Sequence, residues 1–229
     1  MLVVEADPDG GVLAGRFDGL RADRTLADVV VDVRRTFDRD TVLGSARSLW
    51  DTVPVVVAPP SAEQTYAALS AGGDRFAAGL AAADLDVLVD VGRLTARSPA
   101  LHLARRAVAT IFVTQPTFEA AAALVARVPE LAPHGCEPRL LLIGDRPYEP
   151  QDFERAVGAA VTAVLPFDRR AAELLSGGAG SERVLRRSLL WRAMVDVASR
   201  LAMLVPRPIE GDTGARQPLD AAQPAGADA

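Results

Sequence analysis

Two short apolar segments of the sequence run into aspartate, and each is followed within a few residues by glycine. The first reads VVEADPDGG, with Glu5 and Asp7 after the apolar residues, and the second reads LDVLVDVGRL, with Asp90 and Gly92. An aspartate fixed at the end of a buried strand can take part in binding Mg²⁺, and a nearby glycine lets the backbone approach a phosphate. The two segments are therefore candidates for a magnesium-nucleotide site. Strand-end aspartates also cap helices and shape loops, so a purely structural role for Asp90 is an open alternative.

The sequence contains no lysine, and all 25 of its basic residues are arginine. A phosphate-binding loop of the type G-x-x-x-x-G-K-[ST] uses its lysine to reach the β and γ phosphates, so residues 1–229 do not contain such a loop. No G-x-G-x-x-G fingerprint is present either. The glycine-rich stretch SGGAGSE at positions 176–182 does not follow a predicted strand, and we interpret it as a loop.

Short apolar runs alternate along the chain with longer segments whose apolar residues have helical spacing. This pattern is typical of β-α units around a parallel sheet. We predict six strands, at Leu2–Ala6, Pro54–Ala58, Val87–Val91, Thr110–Thr114, Arg139–Ile143 and Val161–Leu165. Serine or proline marks the start of the clearest helices, which we predict from Ser61, from Ser98-Pro99, at Pro116–Val128 and at Pro150–Val157, with a last helix at Glu182–Val205.

Composition predicts one α/β domain at residues 1–205 and a disordered tail rich in Pro, Gly, Ala and Asp at residues 206–229. The net charge of −5 argues against direct DNA binding. One cysteine and two histidines argue against a Cys- or His-based metal site. We find no signal peptide and no long apolar run, and we expect a cytoplasmic protein. The last helix is basic, so we expect membrane contact to be peripheral at most, and a packing helix with a polar outer face explains it equally.

Six segments in order along the chain resemble the MinD/ParA-like P-loop ATPases, most closely the divergent MinD-like proteins of high-GC bacteria. They are EADPDGG, APPSAEQ, LVDVGRL, VTQPTFEAAAAL, LLIGDRPY and VLPFDRRAAELL, and the likeness covers residues 1–204. The resemblance implies a three-layer α/β fold with a mostly parallel sheet of the SIMIBI/MinD type, and ATP and Mg²⁺ as ligands. It also implies a role in chromosome partitioning or in placing pili, flagella or secretion machinery.

The resemblance also implies roles for the acidic residues. Asp7 corresponds to the catalytic aspartate that orients the attacking water, and Asp90 to the switch aspartate near Mg²⁺, with Gly92 beside the phosphates. Glu5 stands where the family usually has aspartate, and the substitution is compatible with a supporting role near the metal.

Two further segments correspond to the part of the family that binds the base. Pro166 matches the proline of the loop that lies against adenine. Gly144 and Asp145 stand where the family typically has an asparagine that reads the base, so selectivity for adenine does not carry over to this sequence.

In the family, a central strand, a glycine-rich loop and a first helix precede the acidic strand, and none of these is present in residues 1–229. Loss of a central strand leaves roughly five unpaired backbone groups on each neighbour, at about 1–3 kcal/mol each, which a domain stable by about 5–15 kcal/mol does not tolerate. Three alternatives follow: the neighbours pair directly, a partner chain supplies the strand, or translation starts upstream of Met1. We favour the third.

The functional alternatives parallel the structural ones. The first is a P-loop-less pseudo-ATPase that acts as a regulatory or positioning protein, as a homodimer or with a protein partner. The second is an active ATPase whose first segment is missing from residues 1–229. A metabolic α/β enzyme is a weaker third class, because no paired nucleophile and base appears within the motifs.

Overall fold

The computed structural model describes residues 1–50, 52–176 and 182–204. Its seven strands are β1 (Leu2–Glu5), β2 (Arg47–Leu49), β3 (Val53–Val56), β4 (Val87–Asp90), β5 (Ile111–Thr114), β6 (Arg139–Ile143) and β7 (Val161–Leu165). Its α-helices are α1 (Leu13–Arg16), α2 (Leu26–Val33), α3 (Arg39–Gly44), α4 (Ala62–Ala82), α5 (Leu101–Arg106), α6 (Phe118–Leu131), α7 (Pro150–Val157), α8 (Arg169–Leu175), α9 (Glu182–Arg186) and α10 (Leu189–Ala202). None of the helices within these residues is long and apolar enough to cross a membrane.

The strands form two sheets. The first has the order β2-β3-β1-β4 and the second has the order β5-β6-β7. All neighbours are parallel except β2 and β3, which pair antiparallel at the outer edge of the first sheet. The predicted α/β class with a mostly parallel sheet is confirmed, and each of the six predicted strands is present with a shift of at most two residues at its ends.

Two sequence-based expectations are wrong. The single helix predicted at 182–205 is two helices, α9 and α10, because Ser188 leaves the helical conformation and its hydroxyl accepts a hydrogen bond from the Trp191 N–H at 3.0 Å. Strand β2 has no counterpart in the prediction, since its sequence RSL lacks an apolar run. The tail at 206–229 and positions 177–181 of the glycine-rich stretch lie outside the described residues.

One side of both sheets is covered by helices α2 and α4 to α7, and we call it the front face. Over the first sheet, Leu2 and Val4 of β1 pack with Phe76 of α4 and Val29 of α2 in the largest apolar cluster. Over the second sheet, Leu140 and its neighbours pack against α6 and α7. A smaller cluster joins the two regions, because it contacts both Val91, just after β4, and Phe112 of β5. The front faces of the two sheets therefore lie on the same side of the molecule.

The opposite side, which we call the back face, is covered only in part. Val3 and Val55 pack there against Leu20, in the turn that follows α1. Leu141 of β6 packs against helices α8 to α10, with Leu190 of α10 in the same cluster. Together with the front helices, these segments give the three-layer arrangement.

Strands β4 and β5 do not pair with each other, although β4 ends the first sheet and β5 begins the second. The chain passes from β4 to β5 through α5, a strand-helix-strand connection of the kind that joins parallel strands.

Candidate functional site

The carboxyl ends of β1 and β4 bring Asp7 and Asp90 together around one glycine. β1 and β4 are neighbours in register, with Glu5 opposite Asp90, and the Ala6 N–H donates to the Asp90 carbonyl at 2.7 Å. Asp90 Oδ1 accepts a hydrogen bond from the Gly92 N–H at 3.0 Å. The Asp7 carboxylate lies against the other side of Gly92, where an added β-carbon would stand 2.1 Å from Asp7 Cγ.

Gly92 is required at this position for two reasons. Its φ of +58° is in the left-handed region, which side chains other than glycine rarely adopt. In addition, any β-carbon would overlap the Asp7 carboxylate. The contact holds the two acidic loops together, and the structure brings Asp7, Asp90 and Gly92 into one cluster.

Glu5 is buried behind this edge and is bound entirely to backbone N–H groups. It is 2 % exposed. Its Oε1 accepts from the N–H groups of Val12 at 2.7 Å and Leu13 at 2.9 Å, and its Oε2 accepts from the Ala58 N–H at 3.0 Å. The structure thus places Glu5 as a clamp that joins the end of β1 to the following loop and to the end of β3.

The loop that Glu5 clamps needs glycine at two positions. Gly10 has a φ of +102°, and a β-carbon on Gly11 would stand 2.4 Å from the Ala58 carbonyl oxygen and 2.7 Å from Glu5 Oε2. Analysis of the sequence identified the Gly-Gly turn but not this contact. Only the pairing of β1 with β3 brings Ala58 within reach of Glu5, so no local pattern reveals it.

The residues assigned to base binding lie at the carboxyl ends of β6 and β7, in the second sheet. Gly144, with φ of +81°, follows β6, and its N–H donates to the Leu165 carbonyl at 2.7 Å. Asp145 is exposed and Pro166 is half-buried. Phe167 extends from the same edge with 69 % of its surface exposed. Gly144 and Pro166 directly follow two adjacent strands, β6 and β7, which belong to a different sheet from β1 and β4.

We call the carboxyl ends of β1 and β4, with Asp7 and Asp90 around Gly92, the acidic edge. Its carboxylates suit a magnesium ion, but it lacks the positive charge that binds a triphosphate. Mg²⁺ is usually bound by one or two carboxylates together with water and phosphate oxygens, and Asp7 and Asp90 supply two carboxylates around the Gly92 backbone. In the parts of the chain that the structure describes, no group of three or more His, Cys, Asp or Glu side chains is placed to hold a metal alone. A triphosphate needs positive charge, yet Arg93 is the only basic residue that immediately adjoins these acidic residues in sequence.

A shallow basic depression of about 380 Å³ lies elsewhere, between α4, α5 and the turn before β6. Its lining includes Arg97, His102, Arg105 and His134, and none of the acidic-edge residues. Beside it, a hydrogen bond from Arg106, together with the charges of Arg106, His102 and Arg105, holds the pKa of Asp74 below its ordinary value. His102 Nδ1 lies there 3.7 Å from Asp74 Oδ1.

No protein-family model and no curated protein matches the sequence. Solved structures do match it. A ParA family ATPase from Chlorobium tepidum TLS is 18 % identical over 87 % of this chain and 84 % of its own, with a TM-score of 0.71. The septum site-determining protein MinD from Pyrococcus horikoshii OT3, a complex with Mg-ADP, is 16 % identical over 89 % and 83 %, with a TM-score of 0.68. The cell division ATPase MinD from Pyrococcus furiosus is 18 % identical over 89 % and 86 %, with a TM-score of 0.64. These similarities show that the chain has a MinD/ParA-like fold.

Proposed function

We propose that this protein is a MinD/ParA-like regulatory or positioning protein, and that its acidic edge is the magnesium- and water-facing side of an ATP site. The observation that supports this most directly is the convergence of Asp7 and Asp90 on Gly92 at the carboxyl ends of two neighbouring parallel strands. Ligands of open α/β sheets bind at this edge. The solved structures that share this fold include ATPases, and the position of the two acids at strand ends supports the proposal.

Each acidic residue would have a distinct task. Asp90 would hold Mg²⁺, which when bound supplies positive charge to the phosphates. Asp7 would orient a water molecule, since its Oδ1 is fixed by the Asp9 N–H at 2.9 Å. Glu5 would not touch the nucleotide, because its oxygens accept three backbone N–H groups; it positions the loop that carries Asp7.

Residues 1–229 alone do not provide the phosphate-binding part of such a site. They contain no lysine and no glycine-rich phosphate loop. We therefore propose that residues 1–229 by themselves behave as a pseudo-ATPase and act through protein contacts, in a homodimer or with a protein partner. The acidic net charge of −5 makes a protein rather than DNA the favoured partner.

A titration of the 229-residue chain with Mg-ATP, followed by calorimetry, tests this proposal. We expect no saturable binding up to millimolar nucleotide, while circular dichroism shows a folded α/β protein. Mg-ADP and ATP with EDTA serve as controls for nucleotide and metal separately. Tight binding of Mg-ATP by the 229 residues would show that the arginines or backbone can replace the absent lysine, and the pseudo-ATPase proposal would be wrong.

The second candidate is an active ATPase that gains its phosphate-binding residues from polypeptide outside residues 1–229. β4 and β5 do not pair with each other. The acidic edge lies on one side of this gap and the residues assigned to base binding lie on the other, which favours the second candidate. In such a protein Asp7 and Asp90 would take the catalytic and magnesium roles described above. The test is hydrolysis of ATP by the protein isolated from its own cells.

A further inference from the structure

The basic depression between α4 and α5 is built by one side of each helix. Tyr66, Ser70 and Asp74 are spaced four residues apart, so they lie along one side of α4. On α5, His102 and Arg106 have the same spacing and both face Asp74. The distance to Asp74 Oδ1 is 3.7 Å from His102 Nδ1 and 3.1 Å from Arg106 Nη2. The two helices therefore bring their polar side chains to one surface.

The start of α5 lies in direct contact with the middle of α4. A β-carbon added to Gly73 would stand 3.5 Å from the Pro99 carbonyl oxygen and 3.7 Å from His102 Cδ2. Because the two helices are this close, Arg97 and Ser98, just ahead of α5, line the same depression as the side chains of α4. The depression is thus formed by packed helices.

The turn that carries Arg97 is held by hydrogen bonds. The Ser98 N–H donates to the Thr95 carbonyl at 3.0 Å, and the Leu101 N–H donates to the Ser98 carbonyl at 3.0 Å. The Ser98 hydroxyl oxygen accepts the Ala100 N–H at 3.2 Å, so its own hydrogen is available to a ligand. The turn therefore presents a cation and a hydroxyl donor side by side.

The positive charge of the depression is not neutralised by neighbouring acids. Its lining among the described residues includes no aspartate or glutamate, and neither Arg97 nor Arg105 forms an ion pair with another described residue. Asp74, beside the depression, is already bound by Arg106. The hydrogen bond from Arg106, with the charges of Arg106, His102 and Arg105, lowers the pKa of Asp74, which indicates a positive local potential.

The donors of the depression suit carboxylate groups. A guanidinium group matches the two oxygens of a carboxylate with a pair of parallel hydrogen bonds. The hydroxyls of Tyr66 and Ser70, which form no hydrogen bond within the described residues, supply further donors beside Arg97 and Arg105. The site therefore offers charge and donors for more than one carboxylate.

The shape of the depression favours a peptide over other anions. Small-molecule sites usually enclose most of the ligand surface, whereas this depression of about 380 Å³ is shallow. Nucleic acid is usually held through many phosphates along its backbone, and the net charge of −5 opposes it. A segment of polypeptide with several acidic residues needs only a short, open surface of this kind.

We propose that the basic depression is the docking site for an acidic segment of a protein partner, with its carboxylates bound by Arg97 and Arg105. The hydroxyls of Tyr66, Ser70 and Ser98 donate to the same segment. The lining shares no residue with the acidic edge. This inference rests on the proposed function only in taking the partner to be a protein, and it assigns the chemistry and the place of that contact.

Fluorescence anisotropy of a labelled oligoglutamate peptide, titrated with the 229-residue chain in the absence of nucleotide and metal, tests the proposal. We expect saturable binding at low salt that weakens as salt is added, because salt screens exposed charges. Arg97→Gln combined with Arg105→Gln should weaken this binding by about tenfold or more. Failure of oligoglutamate to bind the unaltered chain at low salt overturns the proposal.

The matched control is Arg170→Gln combined with Arg192→Gln, which removes the same charge from two exposed arginines of α8 and α10. It should change the affinity by less than about twofold, because charges distant from the depression are screened. All four arginines are exposed, so we expect unchanged unfolding midpoints in both double variants. An equal loss of affinity in the two variants overturns the proposal, because binding would then follow net charge alone.

Competition against the bound oligoglutamate tests the class of ligand. We expect unlabelled oligoglutamate to displace it at a lower concentration than a single-stranded oligonucleotide or inorganic phosphate does. Stronger displacement by the oligonucleotide would assign the depression to nucleic acid, and stronger displacement by phosphate would assign it to a small anion; either result overturns the proposal. Since no nucleotide is present, a failure of this inference is separate from a failure of the ATP site.

Discussion

Asp7 and Gly92 are in such close contact that a β-carbon at position 92 would stand 2.1 Å from Asp7 Cγ and 2.2 Å from its Oδ1. The two residues lie 85 positions apart, on loops after neighbouring strands, and their contact fixes the geometry of the acidic edge. The other carboxylate of the edge, Asp90, is tied to the same glycine through its backbone N–H. Any change in this contact therefore affects both acids.

Gly92→Ala should destabilise the protein more than an alanine at another left-handed glycine. The matched control is Gly135→Ala, since Gly135 has φ of +71° and nothing within 4 Å of an added β-carbon. The control should lower the free energy of unfolding by about 1–2 kcal/mol, because alanine is unfavourable in the left-handed backbone conformation. Gly92→Ala should cost more because it also overlaps Asp7, as measured by urea unfolding.

The overlap can be separated from backbone strain with a double variant. Asp7→Ala removes the carboxylate. In the Asp7→Ala background, Gly92→Ala should therefore lower the free energy of unfolding by no more than the Gly135→Ala control does. An additive double variant would show that the two residues do not interact as the structure indicates.

Glu5→Gln should destabilise the protein by about 3 kcal/mol. The amide keeps one oxygen, but its NH₂ group faces at least one of the three backbone N–H donors that the carboxylate accepts. The control is Glu130→Gln on an exposed part of α6, which should be neutral. Equal unfolding midpoints for the two variants would contradict the clamp.

Acid should weaken the N-terminal cap of α3, where the Asp38 side chain accepts hydrogen bonds from the Asp40 and Thr41 N–H groups. The hydrogen bond from the Thr41 hydroxyl and that from the Thr41 N–H hold the pKa of Asp38 below its ordinary value of 3.8. A pKa that is lower in the folded state contributes stability above the unfolded value, and this contribution is lost as pH falls through the folded value. We therefore expect Asp38→Asn to reduce the loss of stability between pH 5 and 2, because asparagine still caps the helix but does not titrate.

The measurement is the urea midpoint against pH for the wild-type protein, for Asp38→Asn and for Asp18→Asn. Asp18 is the control because it has only an exposed ion pair with Arg21 at 3.5 Å. If all three proteins lose stability in parallel as pH falls, the cap does not contribute to acid sensitivity.

The strands were predictable from the sequence because they are short runs of apolar, mostly β-branched residues between helical segments. β2 was not, since its sequence RSL becomes a strand only through antiparallel pairing with β3. The break at Ser188 was not predicted either, because the apolar spacing of the last helices continues across it, while the capping hydrogen bond does not show in that spacing. The division into two sheets depends on which strands meet in space, which periodicity does not encode.

Part of the candidate site was also predictable. Asp7, Asp90 and Gly92 follow from strand-end acids and the glycine that neighbours them. The role of Glu5 as a clamp was not predictable, because it depends on the Ala58 N–H, which lies 53 residues away and arrives only when β1 and β3 pair. A backbone hydrogen-bond partner that is distant in sequence cannot be identified from a local sequence pattern.

The most direct test of the central claim is ATP hydrolysis by the protein isolated from its own cells, compared with its Asp7→Ala variant. Asp9→Ala is the control, since the side chain of the neighbouring Asp9 is exposed. For the active-ATPase candidate, we predict that Asp7→Ala lowers the hydrolysis rate by about 10²-fold or more while the affinity for Mg-ATP changes little, and that Asp9→Ala retains the rate. Unaltered hydrolysis in Asp7→Ala would contradict the assignment of the acidic edge as the water-facing side of an ATP site.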